Sequence, residues 1–203
     1  FAITGGGSDD TFTMGTTLSA NDTIKGGGNS TTTGDTLTAT IANLGDVVTS
    51  SKLNIDAVEN IHVISSGSNY IDATGITSGS KIKLGTANAT TTTITATNLP
   101  AGLTYLLGDL DGDDEFKGTL DLSLADETGS NDTIALSTTV TGADGDITAT
   151  VKLSDGIETL SIKHDEDDTA GADASFTVSG AKVDKIVVTE GIAAEVLALG
   201  QLH

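Results

Sequence analysis

Asp35-Thr36-Leu37-Thr38-Ala39-Thr40-Ile41 carries an apolar residue at every second place, and so does Asp146-Ile147-Thr148-Ala149-Thr150-Val151 further along the chain. Apolar spacing of two lines one face of an extended strand, whereas an amphipathic helix needs spacings of three and four. Thr, Ile and Val strengthen the reading, because β-branched side chains fit a pleated surface. The pattern predicts strands at 36–41, 60–64, 82–84, 93–97, 119–124, 147–153, 159–163, 175–178 and 185–189. Gly, Asn, Asp or Ser clusters separate nearly all of them. Two pieces have helical character, at 41–48 and at 192–199, where Ala, Glu and Leu gather.

Working outward, the strings repeat in order. Asp9-Asp10-Thr11-Phe12 returns as Asp113-Asp114-Glu115-Phe116, and Asn21-Asp22-Thr23-Ile24 returns unchanged as Asn131-Asp132-Thr133-Ile134. Asp56-Ala57-Val58-Glu59-Asn60-Ile61 is echoed by Asp155-Gly156-Ile157-Glu158-Thr159-Leu160. We read two tandem copies of one unit, residues 1–107 and 108–203. Short strands and frequent Gly corners favour an all-β parallel β-solenoid, in which each rung buries a narrow apolar strip against the next. Ile71-Asp72-Ala73-Thr74-Gly75 and Phe176-Thr177-Val178-Ser179-Gly180 have the form of successive rung edges. The alternative is a pair of antiparallel β-sandwich modules, which would show a similar rhythm of strands and turns.

Composition narrows the function. The 203 residues include 9 bases, all Lys, and 29 acids, for a net charge of −20. Such a chain repels nucleic acid and anionic lipid, whose phosphates require basic clusters, and attracts cations. The apolar share of 36 % suffices for a core, but only 3 % is aromatic, which suits a thin interior built from Val, Ile, Leu and Ala. There is no Cys, so a secreted form would need another cross-link, and a metal bound only by the folded state can serve. No apolar run is long enough to insert in a bilayer. The chain opens on Phe1 rather than Met, as a fragment or processed product would.

Three stretches have the chemistry of a calcium site, since calcium takes six to eight oxygen ligands and Asp, Asn and Gly loops present carboxylates and carbonyls together. The first runs from Gly5-Gly6-Gly7-Ser8-Asp9-Asp10 through Asp22 and Gly26-Gly27-Gly28-Asn29 to Asp35. The second contains Asp109, Asp111, Asp113 and Asp114; its alternate acids resemble the opening of an EF-hand, but Gly112 comes one place early and Leu120 stands where a closing Glu belongs. The third is His164-Asp165-Glu166-Asp167-Asp168, either a solvated loop or a cation site. Glu59 and Glu158 hold matched places, where each could ligate calcium or bond to a turn amide. They are a unit apart, so they do not form a catalytic pair.

The Gly-Gly-Gly-Ser-Asp-Asp-Thr-Phe string, Asn-Asp-Thr-Ile followed by Gly-Gly-Gly-Asn, and the paired Glu59 and Glu158 segments resemble bacterial surface-layer proteins related to RTX calcium-binding proteins. What the resemblance implies is a secreted, cell-surface lattice module ordered by Ca²⁺, self-assembling through homo-oligomeric contacts and exported by the type I route. It also implies Asp9, Asp10, Asp22 and Asp35 as ligands, with second-unit counterparts that include Asp132 and Asp146. A tandem run of nonapeptides is absent, so isolated sites are expected rather than a calcium-filled roll. Cell-surface carbohydrate would be held by regions outside this chain. An extender or ligand-binding module of an RTX-type adhesin is the second reading. A solenoid polysaccharide-degrading enzyme is the third, and we expect no enzyme because the chain has few aromatic sugar platforms and no base-nucleophile arrangement.

Overall fold

A computed structural model describes residues 1–16, 18, 22–41, 54–65, 69–76, 81–86, 92–107, 116–140, 147–166, 174–180, 182–190 and 197–202. Every strand pairing among these residues is parallel. Strands β2 (Thr11–Gly15), β4 (Thr36–Ile41), β6 (Asn60–Ser65), β8 (Lys81–Thr86), β10 (Thr104–Leu107), β12 (Thr133–Val140), β14 (Thr159–Glu166) and β16 (Lys185–Glu190) form one eight-stranded sheet in that order. The strands between them build the opposite wall. There β1 (Ala2–Thr4), β3 (Thr23–Lys25) and β5 (Asn54–Asp56) form a three-stranded sheet. It is followed by a six-stranded sheet of β7 (Asn69–Asp72), β9 (Thr92–Leu99), β11 (Phe116–Leu124), β13 (Ile147–Leu153), β15 (Ala174–Ser179) and β17 (Leu197–Leu202). A single bridge from Ile55 to Ile76, just past a 3-10 turn at Ala73–Gly75, links the two.

Each strand is thus followed by one on the other wall, and the chain returns to stack on its previous rung. This is a parallel β-solenoid. Consecutive strands never pair as a hairpin, so the sandwich alternative, which needs antiparallel neighbours, is not adopted. Register partners lie from 21 residues apart, at Ile61 and Ile82, to 31, at Tyr105 and Leu136. Hydrogen bonding also crosses residues 107 and 108, because β10 pairs with β12 and β9 with β11. Of the repeated strings, only that of Glu59 and Glu158 keeps its place, at the start of two strands of the eight-stranded sheet. Thr23-Ile24 and Thr133-Ile134 fall on opposite walls, as do Thr36 to Ile41 and Ile147 to Val151. Those echoes record the shared inside-outside alternation of any rung.

Inward-facing side chains stack in register along the axis. Phe12, Leu37, Ile61, Ile82, Tyr105 and Leu136 make one buried file. Across the core Gly118, Ala149 and Phe176 are register partners, so the aromatic ring occupies a file in which its neighbours are minimal. Tyr105 donates its hydroxyl proton to the Pro100 carbonyl at 2.6 Å, and burial raises its pKa. Fully burying a Leu or Ile contributes about 1.5–3 kcal/mol, so a thin interior is sufficient if every rung adds its share.

All nine strands expected from the alternation are present, β4 and β13 with the same bounds. The helix expected at 192–199 is corrected for its last residues: Leu197 to Leu199 belong to β17 and pair with β15, because edge pairing outweighs the helical propensity of Leu and Ala. The other helical expectation lies outside the described residues after Ile41.

Ile61→Ala should lower stability by about 2–5 kcal/mol in urea unfolding. Because each rung touches only its neighbours, hydrogen exchange should accelerate most in β4, β6 and β8 and least in β16; a uniform acceleration would contradict this.

Candidate metal centre at the acidic corner

Asp10, Asp35 and Glu59 stand two places before Phe12, Leu37 and Ile61, so the pleat turns all three toward the core side of their strands. Asp35 is 0 % exposed, and its two neighbours are half-buried. Rungs about 4.8 Å apart would bring these like charges into mutual repulsion. Backbone donors offset it. The Asp10 amide donates to Asp35 Oδ1 at 2.6 Å, and the Asp35 amide donates to Glu59 Oε2 at 2.8 Å. In the opposite sense, Thr36 N–H donates to the Asp10 carbonyl and Asn60 N–H to the Asp35 carbonyl, both at 2.9 Å. The device returns at the far end of the sheet: the Asp132 amide donates to Glu158 Oε2 at 2.9 Å, and Glu158 N–H donates to the Asp132 carbonyl at 3.1 Å.

Facing this ladder are Gly5, Gly26 and Ala57, the residues that follow β1, β3 and β5. Gly5 N–H donates to the Lys25 carbonyl at 2.8 Å, and Gly26 N–H to the Asp56 carbonyl at 2.9 Å, so the three are stacked like the acids. A Cβ on Gly5 would run into the Gly26 carbonyl oxygen and Asp10 Oδ2; one on Gly26 would run into the Ala57 carbonyl oxygen and Asp35 Oδ2. Two equivalent stations result, each placing a carboxylate oxygen beside a carbonyl oxygen. At the first, Gly6 N–H donates to Asp10 Oδ2 at 2.6 Å. At the second, Asp35 Oδ2 is buried with no hydrogen-bond partner. Ala57 is held there at a φ of 53°, a left-handed conformation costing an L-residue roughly 1–2 kcal/mol.

Two acceptors crowded together without a donor repel unless a positive group lies between them. The donors on offer are all oxygens, which is the chemistry of a hard cation such as Ca²⁺. Among the described residues no group of three or more Asp, Glu, His or Cys could share a metal. A cation at this corner would thus be held by Asp35 with backbone carbonyls, and not by a carboxylate cage.

The other expected ligands lie apart. Asp9 staples the following turn: Oδ1 accepts from Ser30 N–H at 2.9 Å and Thr31 N–H at 3.0 Å, and Oδ2 accepts from the Thr31 hydroxyl. That hydroxyl bond, chiefly, lowers its pKa. Asp22 is buried and meets the Phe1 ammonium at 2.7 Å. Asp132 Oδ2 accepts from Gly129 N–H at 3.0 Å. His164, Asp165 and Glu166 continue β14, so the acidic run is a strand at its start and not a loop; alternation turns His164 inward, where it meets Thr138, while Asp165 is in register with Thr139. Asp109, Asp111, Asp113, Asp114, Asp146, Asp167 and Asp168 lie outside the described residues. What the sequence reading left out of the site was the carbonyls of Gly26 and Ala57, and their only signal was the Gly-rich spacing around them.

Asp35→Asn keeps the acceptor for the Asp10 amide and puts an NH₂ donor where Oδ2 stood. In chelator it should stabilise the protein by about 1–3 kcal/mol, the usual cost of an unsatisfied buried polar group, while abolishing any calcium-dependent rise in melting temperature. Loss of stability in chelator would show that Oδ2 needs no positive partner. No family model, curated protein or solved structure matches this chain, so its functional reading rests on the fold and the corner.

Proposed function

We propose that this chain is a calcium-stabilised structural module of a secreted bacterial surface-layer protein, contributing to a self-assembling lattice at the cell surface. The observation that carries the reading is Asp35 Oδ2, a buried carboxylate oxygen beside the Ala57 carbonyl with no donor of its own. Bound calcium supplies the missing positive charge there and ties β3, β4 and β5 together. Asp35 and the carbonyls of Ala57 and Gly26 are the residues that would hold it, with water completing the shell.

Several features support the assignment. A chain of net charge −20 without Cys gains from a divalent cross-link that binds only the folded state. Calcium sites of extracellular modules have dissociation constants of about 10⁻⁴–10⁻³ M, which a carbonyl-rich site with one buried carboxylate suits. A solenoid also repeats the same surface rung after rung, and a regular surface is what lateral packing into an array requires. The Gly- and Asp-rich strings that resemble surface-layer proteins include Asp10, Gly26 and Asp35 themselves. The role is structural and not catalytic.

Calcium at ten times its dissociation constant should stabilise the folded state by about 1.4 kcal/mol, raising the melting temperature by roughly 3–6 °C in a chain of this size. Calorimetry with calcium and with chelator checks this, and light scattering on the same samples follows assembly. An unchanged melting temperature would sink the calcium reading. A protein that is stabilised yet stays monomeric would instead favour the extender of an RTX-type adhesin.

A further inference from the structure

Charge on this molecule is segregated by position. In the eight-stranded sheet, the outward file in register from Thr13 to Thr189 contains His62, Lys83 and Lys163, and no carboxylate in any of its eight strands. Lys81 lies beside it on β8, and Lys185 on β16 is in register with Thr159. Lys81, Lys163 and Lys185 are exposed, and Lys83 is half-buried. Four of the nine lysines of a strongly acidic chain thus share one face. His62 adds no charge at neutral pH, because burial first, then Lys83 and Lys81, hold its pKa below the ordinary imidazole range.

The complementary surface is the acidic corner. Its carboxylates occur once per rung at the starts of β2, β4 and β6, and again at Asp132, Glu158 and Asp184, which precede β12, β14 and β16. Both surfaces are ruled by the same rung spacing of about 4.8 Å. The lysines sit on the rungs of β8, β14 and β16, separated by three rungs and then one; Glu59, Asp132 and Glu158 sit at β6, β12 and β14, with the same separations. Sliding one copy by a single rung sets each lysine rung opposite an acidic one.

We infer that the outer face of the eight-stranded sheet docks the acidic corner of a second copy of this chain. The two surfaces differ, so the contact is heterologous: each copy in a pair still offers an unused face and an unused corner, and association runs on into an open array rather than closing at a dimer. This rests on the lattice reading above and names the surfaces that would build it. The contact is an exposed one between charges, so it weakens as the Debye length falls from about 30 Å at 0.01 M salt to about 3 Å at 1 M.

The test uses the full chain at constant calcium, with sedimentation velocity and light scattering across that range of salt. Wild type should form large assemblies at low salt and disperse at high salt. Lys81→Glu with Lys83→Glu should remain monomeric throughout, with a melting temperature within a few degrees of wild type, because both positions face outward. Lys81→Arg with Lys83→Arg should restore assembly, and Lys117→Glu with Lys152→Glu, on the six-stranded sheet, should leave it intact. If wild type assembles and the Lys81/Lys83 charge reversal assembles with the same salt dependence, the inference fails while the lattice reading stands. If wild type is monomeric at every salt concentration, both fail. A monomer that instead binds polyglutamate through these lysines overturns self-docking in favour of a polyanionic partner.

Discussion

Between Asp10 and Asp35, and again between Asp132 and Glu158, two hydrogen bonds run in opposite senses: an amide donates forward to the next rung's carboxylate, and that rung's backbone donates back to a carbonyl. In a stack where each rung touches only its neighbours, alignment has to be set anew at every step. The apolar files fix which side chains face inward, but Leu on Ile packs much like Ile on Leu. A carboxylate whose partner amide would be left unbonded by a slip is less forgiving, because an unsatisfied buried donor costs about 1–3 kcal/mol. The corner is therefore where the register of the first rungs is decided, and it is also where the acidic groups have to be.

That requirement distributes the charge of the whole molecule. Carboxylates that order the strand starts collect along one corner, which leaves the sheet faces to Thr, Ser and Lys. Outward Thr on a strand is favourable on propensity alone and adds no charge. Asp35 marks the limit of the scheme. Its Oδ1 is used by the ladder, and its Oδ2 faces a carbonyl in a place where the neighbouring station has the Gly6 amide. Gly27, the residue that corresponds to Gly6 one rung on, has a φ of 110°, so the chain leaves the turn on a different path and the donor is not reproduced. A site for a cation thus arises from a small break in an otherwise regular repeat.

Much of the fold was legible because alternation is a direct image of a strand with one side buried. Nine strands and the solenoid could be read from it. The strands that could not be read share a physical reason: β1, β3 and β5 are only three residues long, and so short a run contains too few alternations to stand out from its Gly and Asn flanks. The true period was hidden too, since rungs of 21 to 31 residues differ too much in loop length to align by eye. Of the corner, Asp10 and Asp35 were visible as acids near glycines, and Glu59 and Glu158 as matched partners of a turn amide. The carbonyls of Gly26 and Ala57 were not, because a backbone oxygen leaves no mark in the residue types.

A second register device lies mid-strand, in the file Ala39, Val63, Leu84, Leu107, Thr138 and His164. Its last two members are polar and nearly fully buried, at 0 % and 3 % exposed, and the Thr138 hydroxyl meets His164 Nδ1 at 2.6 Å. Replacing both by apolar residues would be nearly neutral, whereas removing one strands the other without its partner. The pair thus adds little net stability and a good deal of discrimination. Sliding β14 by two residues against β12 keeps the inside-outside pattern but sets Ile162 or Glu166 opposite Thr138, and in either case the buried imidazole loses its hydroxyl. The apolar file beside it, Leu136 on Ile162, would not resist the same slip nearly as strongly, so in these later rungs the polar pair does at mid-strand what the carboxylates do at the corner.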